Sequence, residues 1–139
     1  MNLYDLHSNP EELHGHSTKE FRVPELAYKL AYWKPELRPK LEPAIMKDPR
    51  YAYNYAYDVV QRRWAKAEPV IMKDAYYAYY YAKNIMGRTW PEAEPYIMKD
   101  PHYAFLYARN ILERRWLEAE PYIKTNNMAW SMYKADFDL

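Results

Sequence analysis

Acidic and basic side chains recur at fixed intervals along this chain and suggest two kinds of chemistry. Opposite charges at matched positions predict either general acid–base pairs or a ladder of ligand contacts. A catalytic group has no reason to occur once in every repeat, so we interpret both sets as structural. A carboxylate is favoured near a helix N-terminus and an arginine just past a C-terminus, and stacking would bring Arg88 near Glu94 or a neighbouring copy's glutamate. The recurring residues are Glu42, Glu68, Glu94 and Glu120, with Arg62, Arg88 and Arg114.

The remaining candidates for catalysis or metal binding are incomplete sets. His7, His14 and His16 lie near the start, but the chain has no cysteine and two of these histidines are only two residues apart. Such a group does not complete a metal site. Serines occur only in the terminal segments, without the adjacent base that nucleophilic catalysis needs, and the two glycines stand alone rather than in a phosphate-binding loop. We therefore predict no enzymatic activity, no cofactor and no bound metal.

The elements that position these residues must come from a chain whose composition is that of a small folded protein. Half of its 139 residues are apolar, which predicts one domain with a core. A net charge of +1 disfavours an electrostatic attraction to nucleic acid or an anionic membrane. The absence of cysteine fits a reducing compartment, and neither a signal peptide nor a long apolar run is evident. We expect a cytoplasmic protein.

A 26-residue period organises most of the chain. The tripeptide Ala-Glu-Pro occurs three times at this interval, and Leu41-Glu42-Pro43 precedes the first occurrence by the same distance. Tryptophans recur in the same phase as the arginines. So many residue types in one register predict tandem copies of a single unit. The copies are anchored at Pro43, Pro69, Pro95 and Pro121, and the tryptophans are Trp64, Trp90 and Trp116.

Each copy contains a longer helix, called helix B here. Tyrosine–alanine and aliphatic pairs four residues apart form one apolar stripe, as in Tyr51-Ala52 and Tyr55-Ala56. Asp48 and Asp100 each precede a proline, which predicts an N-cap followed by proline at the first helical position. Gly87 reads as a C-terminal cap. The predicted helices B span roughly 49–61, 75–86 and 101–113.

A shorter helix A precedes each helix B, and its start is left open by its proline. The stretches are 64–73, 90–99 and 116–124, and Thr89-Trp90-Pro91-Glu92 matches a capping box. A proline several residues into a helix removes a hydrogen bond and clashes with the preceding turn. Helix A is therefore either kinked or begins near Glu68, Glu94 and Glu120.

Two helices in 26 residues form a hairpin too small to bury a core alone. The sequence thus predicts an all-α fold, an α-solenoid of stacked helical hairpins with degenerate capping repeats at both ends. Residues 26–31 form a degenerate helix B, and Asn126 caps the counterpart at 126–133. Paired alanines such as Ala78 give neighbours room for close packing. Residues 1–24 are a lead-in segment and 25–139 a single helical-repeat domain.

The run Trp90-Pro91-Glu92-Ala93-Glu94-Pro95-Tyr96-Ile97, followed by Asp100-Pro101 and Tyr107-Ala108, resembles a short repeat of uncharacterised bacteriophage and bacterial proteins. The resemblance covers about residues 26–135. It implies a helical repeat in a viral or bacterial cytosolic setting, which is the host cytoplasm if the protein is viral. It transfers no catalytic residues.

One face of helix B varies while the scaffold repeats, and a varying face is free to be specific. Positions 50, 57 and 61 and their equivalents change freely, and the exposed aromatic and basic residues predicted there are typical of interface hot spots. Two placements stay open for Tyr53, Tyr79 and Phe105, which either pack on helix A of the next repeat or are exposed. The predicted partner-binding residues are Tyr57, Tyr76, Tyr80, Lys83, His102 and Arg109.

These features favour a non-enzymatic scaffold that binds another protein, as an inhibitor or adaptor of a host protein if the chain is viral. The alternative is binding of single-stranded nucleic acid or RNA, with tyrosines stacking on bases and arginines contacting phosphates. The low net charge disfavours that alternative. A third possibility is a structural role in which the repeat ends self-assemble. No interaction with a membrane is expected.

Overall fold

A computed structural model describes residues 19–139, and no strand occurs in that part of the chain. This confirms the predicted all-α class. His7, His14 and His16 lie outside the described residues, and the predicted boundary at 24/25 falls within the first helix. The α-helices are α1 (Lys19–Trp33), α2 (Arg38–Ile45), α3 (Pro49–Tyr55), α4 (Glu68–Ile71), α5 (Ala75–Tyr81), α6 (Glu94–Ile97), α7 (Pro101–Tyr107), α8 (Glu120–Ile123) and α9 (Asn127–Asp136).

The helices B are α3, α5, α7 and α9, and each begins at a side-chain cap. The Asp48 Oδ1 atom accepts a hydrogen bond from the backbone N–H of Arg50 at 2.9 Å. The Asn126 Oδ1 atom accepts one from the N–H of Ala129 at the same distance. These bonds satisfy amides that have no partner inside the helix, so the predicted caps are confirmed. The four capping residues are Asp48, Asp74, Asp100 and Asn126.

The first three helices B end in a widened π-helical turn followed by a left-handed residue. The turns are Ala56–Val60, Ala82–Met86 and Ala108–Leu112. The Gly87 N–H donates to the carbonyl five residues earlier at 2.8 Å, and Gly87 has φ +64°, which confirms the predicted C-terminal cap. Gln61 and Glu113 hold the same left-handed conformation, with φ values of +58° and +55°. Glycine adopts this conformation without the steric cost that the other two residues incur.

The helices A, which are α4, α6 and α8, are shorter than predicted because they begin at the glutamate. Each spans four residues with proline at its second position, where a missing N–H costs no hydrogen bond. Of the two predicted alternatives, the start of helix A near the glutamate is therefore correct, and the kinked helix is wrong. Turns of 3₁₀ helix, Ala65–Ala67 and Leu117–Ala119, lead into α4 and α8. The capping box at Thr89 is wrong, since Ala93 precedes α6 and makes no side-chain capping bond.

Each of the first three helices B packs against the helix A that follows it in the chain. Ala52, Ala56 and their equivalents are fully buried at these contacts, so the small side chains allow a close approach. A tryptophan closes each contact against a tyrosine of helix B. The ring centroids lie 4.8 Å apart for Tyr55 and Trp64, and the two later pairs, Tyr81–Trp90 and Tyr107–Trp116, lie at 4.9 and 5.0 Å.

Helix α9 carries a large side chain where the earlier helices B carry a small one. Trp130 occupies the position held by a buried alanine in the earlier helices B. The ammonium groups of Lys124 and Lys134 lie 4.9 and 5.9 Å from its ring centroid. Phe137 packs on Tyr133 at 4.8 Å, in the way that tryptophans pack on the earlier tyrosines. At the other end, the predicted degenerate helix B lies within α1.

Candidate binding groove

The recurring glutamates lie in hydrogen-bond networks that join helix A to helix B. Glu68 accepts two bonds from the Arg63 guanidinium, at 2.9 and 2.8 Å, and one from the Tyr81 hydroxyl at 2.6 Å. The Tyr81 oxygen accepts the backbone N–H of Trp64 at 2.8 Å. The bonds from Arg63, helped by that from Tyr81, lower the pKa of Glu68. Burial and the bond to Glu68 raise the pKa of Tyr81 far above its usual range. The Glu68 carboxylate is thus held by three hydrogen bonds at the junction of helix A and helix B.

The network recurs at the other three glutamates, but its arginine is present in only one of them and is not one of the three predicted arginines. Glu120 accepts bonds from Arg115 and Tyr133, which are the equivalents of Arg63 and Tyr81. Glu42 and Glu94 accept a bond from Tyr55 and Tyr107, and Leu37 and Thr89 stand in the arginine position. The arginine five residues before the glutamate reaches it across the turn into helix A. Arg62, Arg88 and Arg114 stand six residues before and are exposed, although Arg88 helps to lower the pKa of the neighbouring copy's Glu68.

A second set of polar contacts runs from one helix B to the next. The amide nitrogen of Asn84 donates to the Tyr53 hydroxyl at 3.0 Å, and that of Asn110 donates to the Tyr79 hydroxyl at 2.7 Å. Tyr79 and Phe105 are buried, so the alternative of exposure is wrong for both. Tyr53 is half-buried, and its contacts with the next repeat are to Tyr77 of α5 and to Asn84 of the turn that follows α5, whereas the prediction named a helix A. At the end of the series Phe105 has no hydroxyl, and Asp136, in the asparagine position, lies 3.6 Å from Arg109.

A groove of about 620 Å³ lies between α3 and α5 on the helix B face. Tyr53 and Tyr57 form one wall, with their rings stacked at 6.0 Å and an interplanar angle of 25°. Tyr76 and Tyr80 form the other wall, with ring centroids 4.9 Å apart. Tyr57 and Tyr76 are 53% and 44% exposed, so ring surface is open to a partner. The groove presents aromatic area that is held in place by neighbouring rings.

The two ends of this groove carry opposite charges. Arg50 and Asp58 line it together with Asn54, and the spacing of these residues places all three on one face of helix B. Arg50 and Asp58 stand at most about 12 Å apart along the axis, which is the α-helical rise over eight residues, because Asp58 lies in the more compact π-helical turn. Arg50 makes no ion pair with any residue between 23 and 139, and its guanidinium lies 5.4 Å from the Tyr51 ring centroid. Asp58 accepts the hydroxyl of Tyr28 at 2.6 Å.

The groove includes three of the six residues predicted to bind a partner. Tyr57, Tyr76 and Tyr80 line it, although Tyr80 is half-buried against the core rather than exposed as predicted. The other three, Lys83, His102 and Arg109, are exposed but lie outside it. Two of these cations contact rings of their own helix, with Lys83 at 5.9 Å from Tyr79 and Arg109 at 5.0 Å from Phe105. The His102 ring packs edge-on against Tyr103 at 4.9 Å.

Arg50, Asn54, Asp58 and Asn84 also line the groove and are absent from the predicted set. A sequence signal exists for the first three, since Arg50, Asn54 and Asp58 are spaced four residues apart, on the face that carries Tyr57. Asn84 occupies the position of Asp58 one period later. Spacing alone could not predict that Asn84 lines the groove, because this depends on which side of α3 is covered by α5.

Among the described residues, no group of three or more metal-ligating side chains occurs. Within that same part of the chain, no helix is both long enough and apolar enough to span a bilayer. Comparisons of the chain with protein-family models, with curated proteins and with solved structures give no match. The function must therefore be argued from the groove itself.

Proposed function

We propose that this chain is a non-enzymatic scaffold that binds another protein in the tyrosine-lined groove between α3 and α5. The observation that carries the proposal is the groove, in which Tyr57 and Tyr76 present open ring surface beside Arg50, which forms no ion pair with residues 23–139. Tyrosine and arginine dominate the residues that contribute most to protein binding. Rings already fixed by neighbouring rings lose little conformational freedom when a partner binds.

The scaffold in this proposal is an α-solenoid of helical hairpins with a period of 26 residues. Support comes from one hydrogen bond that recurs at this interval, from a tryptophan N–H to the tyrosine hydroxyl 17 residues later. Its length is 2.8 Å in each of its three occurrences, Trp64–Tyr81, Trp90–Tyr107 and Trp116–Tyr133. A hairpin that completes its neighbour's core would hold the groove in a fixed shape.

The setting and the role of the partner belong to the same proposal. Resemblance of the repeat to phage and bacterial proteins supports a bacterial cytoplasm, and a host protein as partner of an inhibitor or adaptor. Each recurring glutamate accepts a hydrogen bond from a tyrosine, and Glu68 and Glu120 also accept bonds from an arginine, which supports a role without catalysis.

The test is affinity capture from a bacterial lysate with three forms of the immobilised chain. The first is unchanged, the second carries Tyr57→Ala and Tyr76→Ala, and the third carries Tyr96→Ala and Tyr122→Ala. The third form is a matched control, because Tyr96 and Tyr122 are 38% and 39% exposed and lie on helices A. We expect one protein to be retained by the first and third forms and lost from the second.

Retention by all three forms would contradict the assignment of the groove. The lysate is divided and one half is treated with nuclease, because a partner held through nucleic acid would disappear from that half. Binding that weakened steeply between low and moderate salt would also point to phosphate contacts. Either result would replace the protein-binding proposal with the nucleic-acid alternative.

A further inference from the structure

We propose that the groove recognises a proline-rich segment in the polyproline II conformation, with a basic residue beside Asp58 and an acidic residue beside Arg50. This inference rests on the proposed function and specifies the chemistry of the partner.

The aromatic walls fit proline rings. Polyproline II segments dock in grooves lined by aromatic side chains, because flat rings pack on the pyrrolidine faces and the ligand is already extended before it binds. Tyr53 and Tyr57 on one side and Tyr76 and Tyr80 on the other provide two facing pairs. The stacking of Tyr53 on Tyr57 leaves the outer ring, Tyr57, as the more exposed contact.

The polar atoms of the groove match the backbone of such a ligand. A polyproline II segment has no internal hydrogen bonds, so its carbonyl groups need donors from the binding surface. Within the described part of the chain, the hydroxyls of Tyr57, Tyr76 and Tyr80 and the amide of Asn54 have no hydrogen-bond partner. A helical ligand satisfies its own carbonyls and would leave these donors unused.

The charges set the length and the composition of the segment. Arg50 and Asp58 stand at most about 12 Å apart along helix B, which equals about four residues of polyproline II at 3.1 Å per residue. Opposite charges at the two ends favour a ligand that carries opposite charges about four residues apart. A nucleic-acid strand fits less well, because its phosphates would approach the Asp58 carboxylate.

The probe is a capped synthetic peptide, Ala-Arg-Pro-Pro-Pro-Glu-Ala, titrated into the full chain by calorimetry and by NMR of the side-chain amides. We expect saturable binding, with shifts of the Asn54 and Asn84 amide signals. The Tyr57→Ala variant should weaken binding about tenfold or more, and Tyr96→Ala should leave it unchanged. Tyr57→Phe should have an intermediate effect, because it keeps the ring and loses the hydroxyl.

A charge exchange tests the orientation. Arg50 is exposed and pairs with no carboxylate between 23 and 139, so Arg50→Glu is not expected to disturb folding. The change should weaken the Arg/Glu peptide about two- to fivefold, and a peptide with arginine at both ends should recover that loss. Recovery separates recognition of charge from a general loss of structure.

Three results would overturn the inference. The first is that binding does not saturate at about 1 mM peptide. The second is that a peptide with alanines in place of the prolines binds equally well. The third is that a single-stranded oligonucleotide displaces the peptide. If a lysate protein is lost on Tyr57→Ala and Tyr76→Ala but the peptide does not bind, the proposed function stands and this inference fails. If the lysate protein is retained as well, both fail.

Discussion

Replacing Tyr81 with Phe removes one hydroxyl group and keeps the ring that packs on Trp90. That hydroxyl accepts the Trp64 N–H and donates to Glu68, and Tyr81 is fully buried. A buried N–H left without an acceptor costs about 1–3 kcal/mol. The lost bond to Glu68 adds about 1 kcal/mol, because the carboxylate keeps its two bonds from Arg63.

The Tyr81→Phe variant should therefore lose about 2–4 kcal/mol of unfolding free energy. For a chain of 139 residues this corresponds to a decrease in Tm of about 7–14 °C. Urea and thermal unfolding, followed by far-ultraviolet circular dichroism, measure both quantities. Tyr80→Phe is the matched control, because the Tyr80 hydroxyl has no hydrogen-bond partner among the described residues and its loss should cost less than about 0.5 kcal/mol. Equal losses for the two variants would refute the reasoning.

Three further predictions concern a buried alanine, the left-handed residues and the Glu68 carboxylate. Ala78→Leu should cost about 1–3 kcal/mol in urea unfolding, because Ala78 is fully buried; a variant that melts no lower than the parent would show that this face is not interior. Gly87→Ala should cost about 1 kcal/mol and Gln61→Gly should gain a similar amount, since both positions are left-handed; a higher Tm for Gly87→Ala or a lower Tm for Gln61→Gly would contradict this. The pKa of Glu68 is lowered in the folded protein, so its stabilising contribution is present above about pH 4.5 and is lost as the pH falls through the folded-state pKa. The stability advantage of the parent over Glu68→Gln should accordingly shrink between about pH 7 and pH 3, and an advantage independent of pH would exclude this assignment.

Local signals made part of this fold predictable. Asp48 and Asn126 are caps because their side chains compete for amides that the helix leaves free, and this chemistry needs no tertiary information. The buried alanines were recognisable because they recur on one helical stripe. The left-handed Gly87 was recognisable because glycine is the residue that this conformation favours.

The rest depends on tertiary contacts. The late start of α4 follows from the 3₁₀ turn that Pro69 allows, and spacing alone fits a kinked helix equally well. The partner of Glu68 is Arg63 rather than Arg62, because a difference of one residue across a turn decides which side chain reaches the carboxylate. The bond from Asn84 to Tyr53 joins residues 31 positions apart, and only the contact between neighbouring helices B brings them together.

The same limit applies to the groove. Tyr57 and Tyr76 were predictable as variable aromatic positions on an exposed face. Arg50 and Asp58 were not predicted to bind a partner, because they line the groove only in combination with residues of α5. A single helix has no such wall, so the pattern of one repeat could not define the site.

If each hairpin completes the core of its neighbour, as we propose, one whole period of 26 residues should be removable. Deleting residues 75–100 joins Asp74 to Pro101, which recreates the Asp-Pro cap of the parent and places Tyr107 where Tyr81 accepts the Trp64 N–H. Deleting 75–87 removes half as much chain but breaks the register. We predict that the chain without 75–100 unfolds cooperatively in urea and keeps its helicity per residue. The chain without 75–87 should lose both properties. A chain without 75–100 that does not fold, or two deletions that behave alike, would contradict the account.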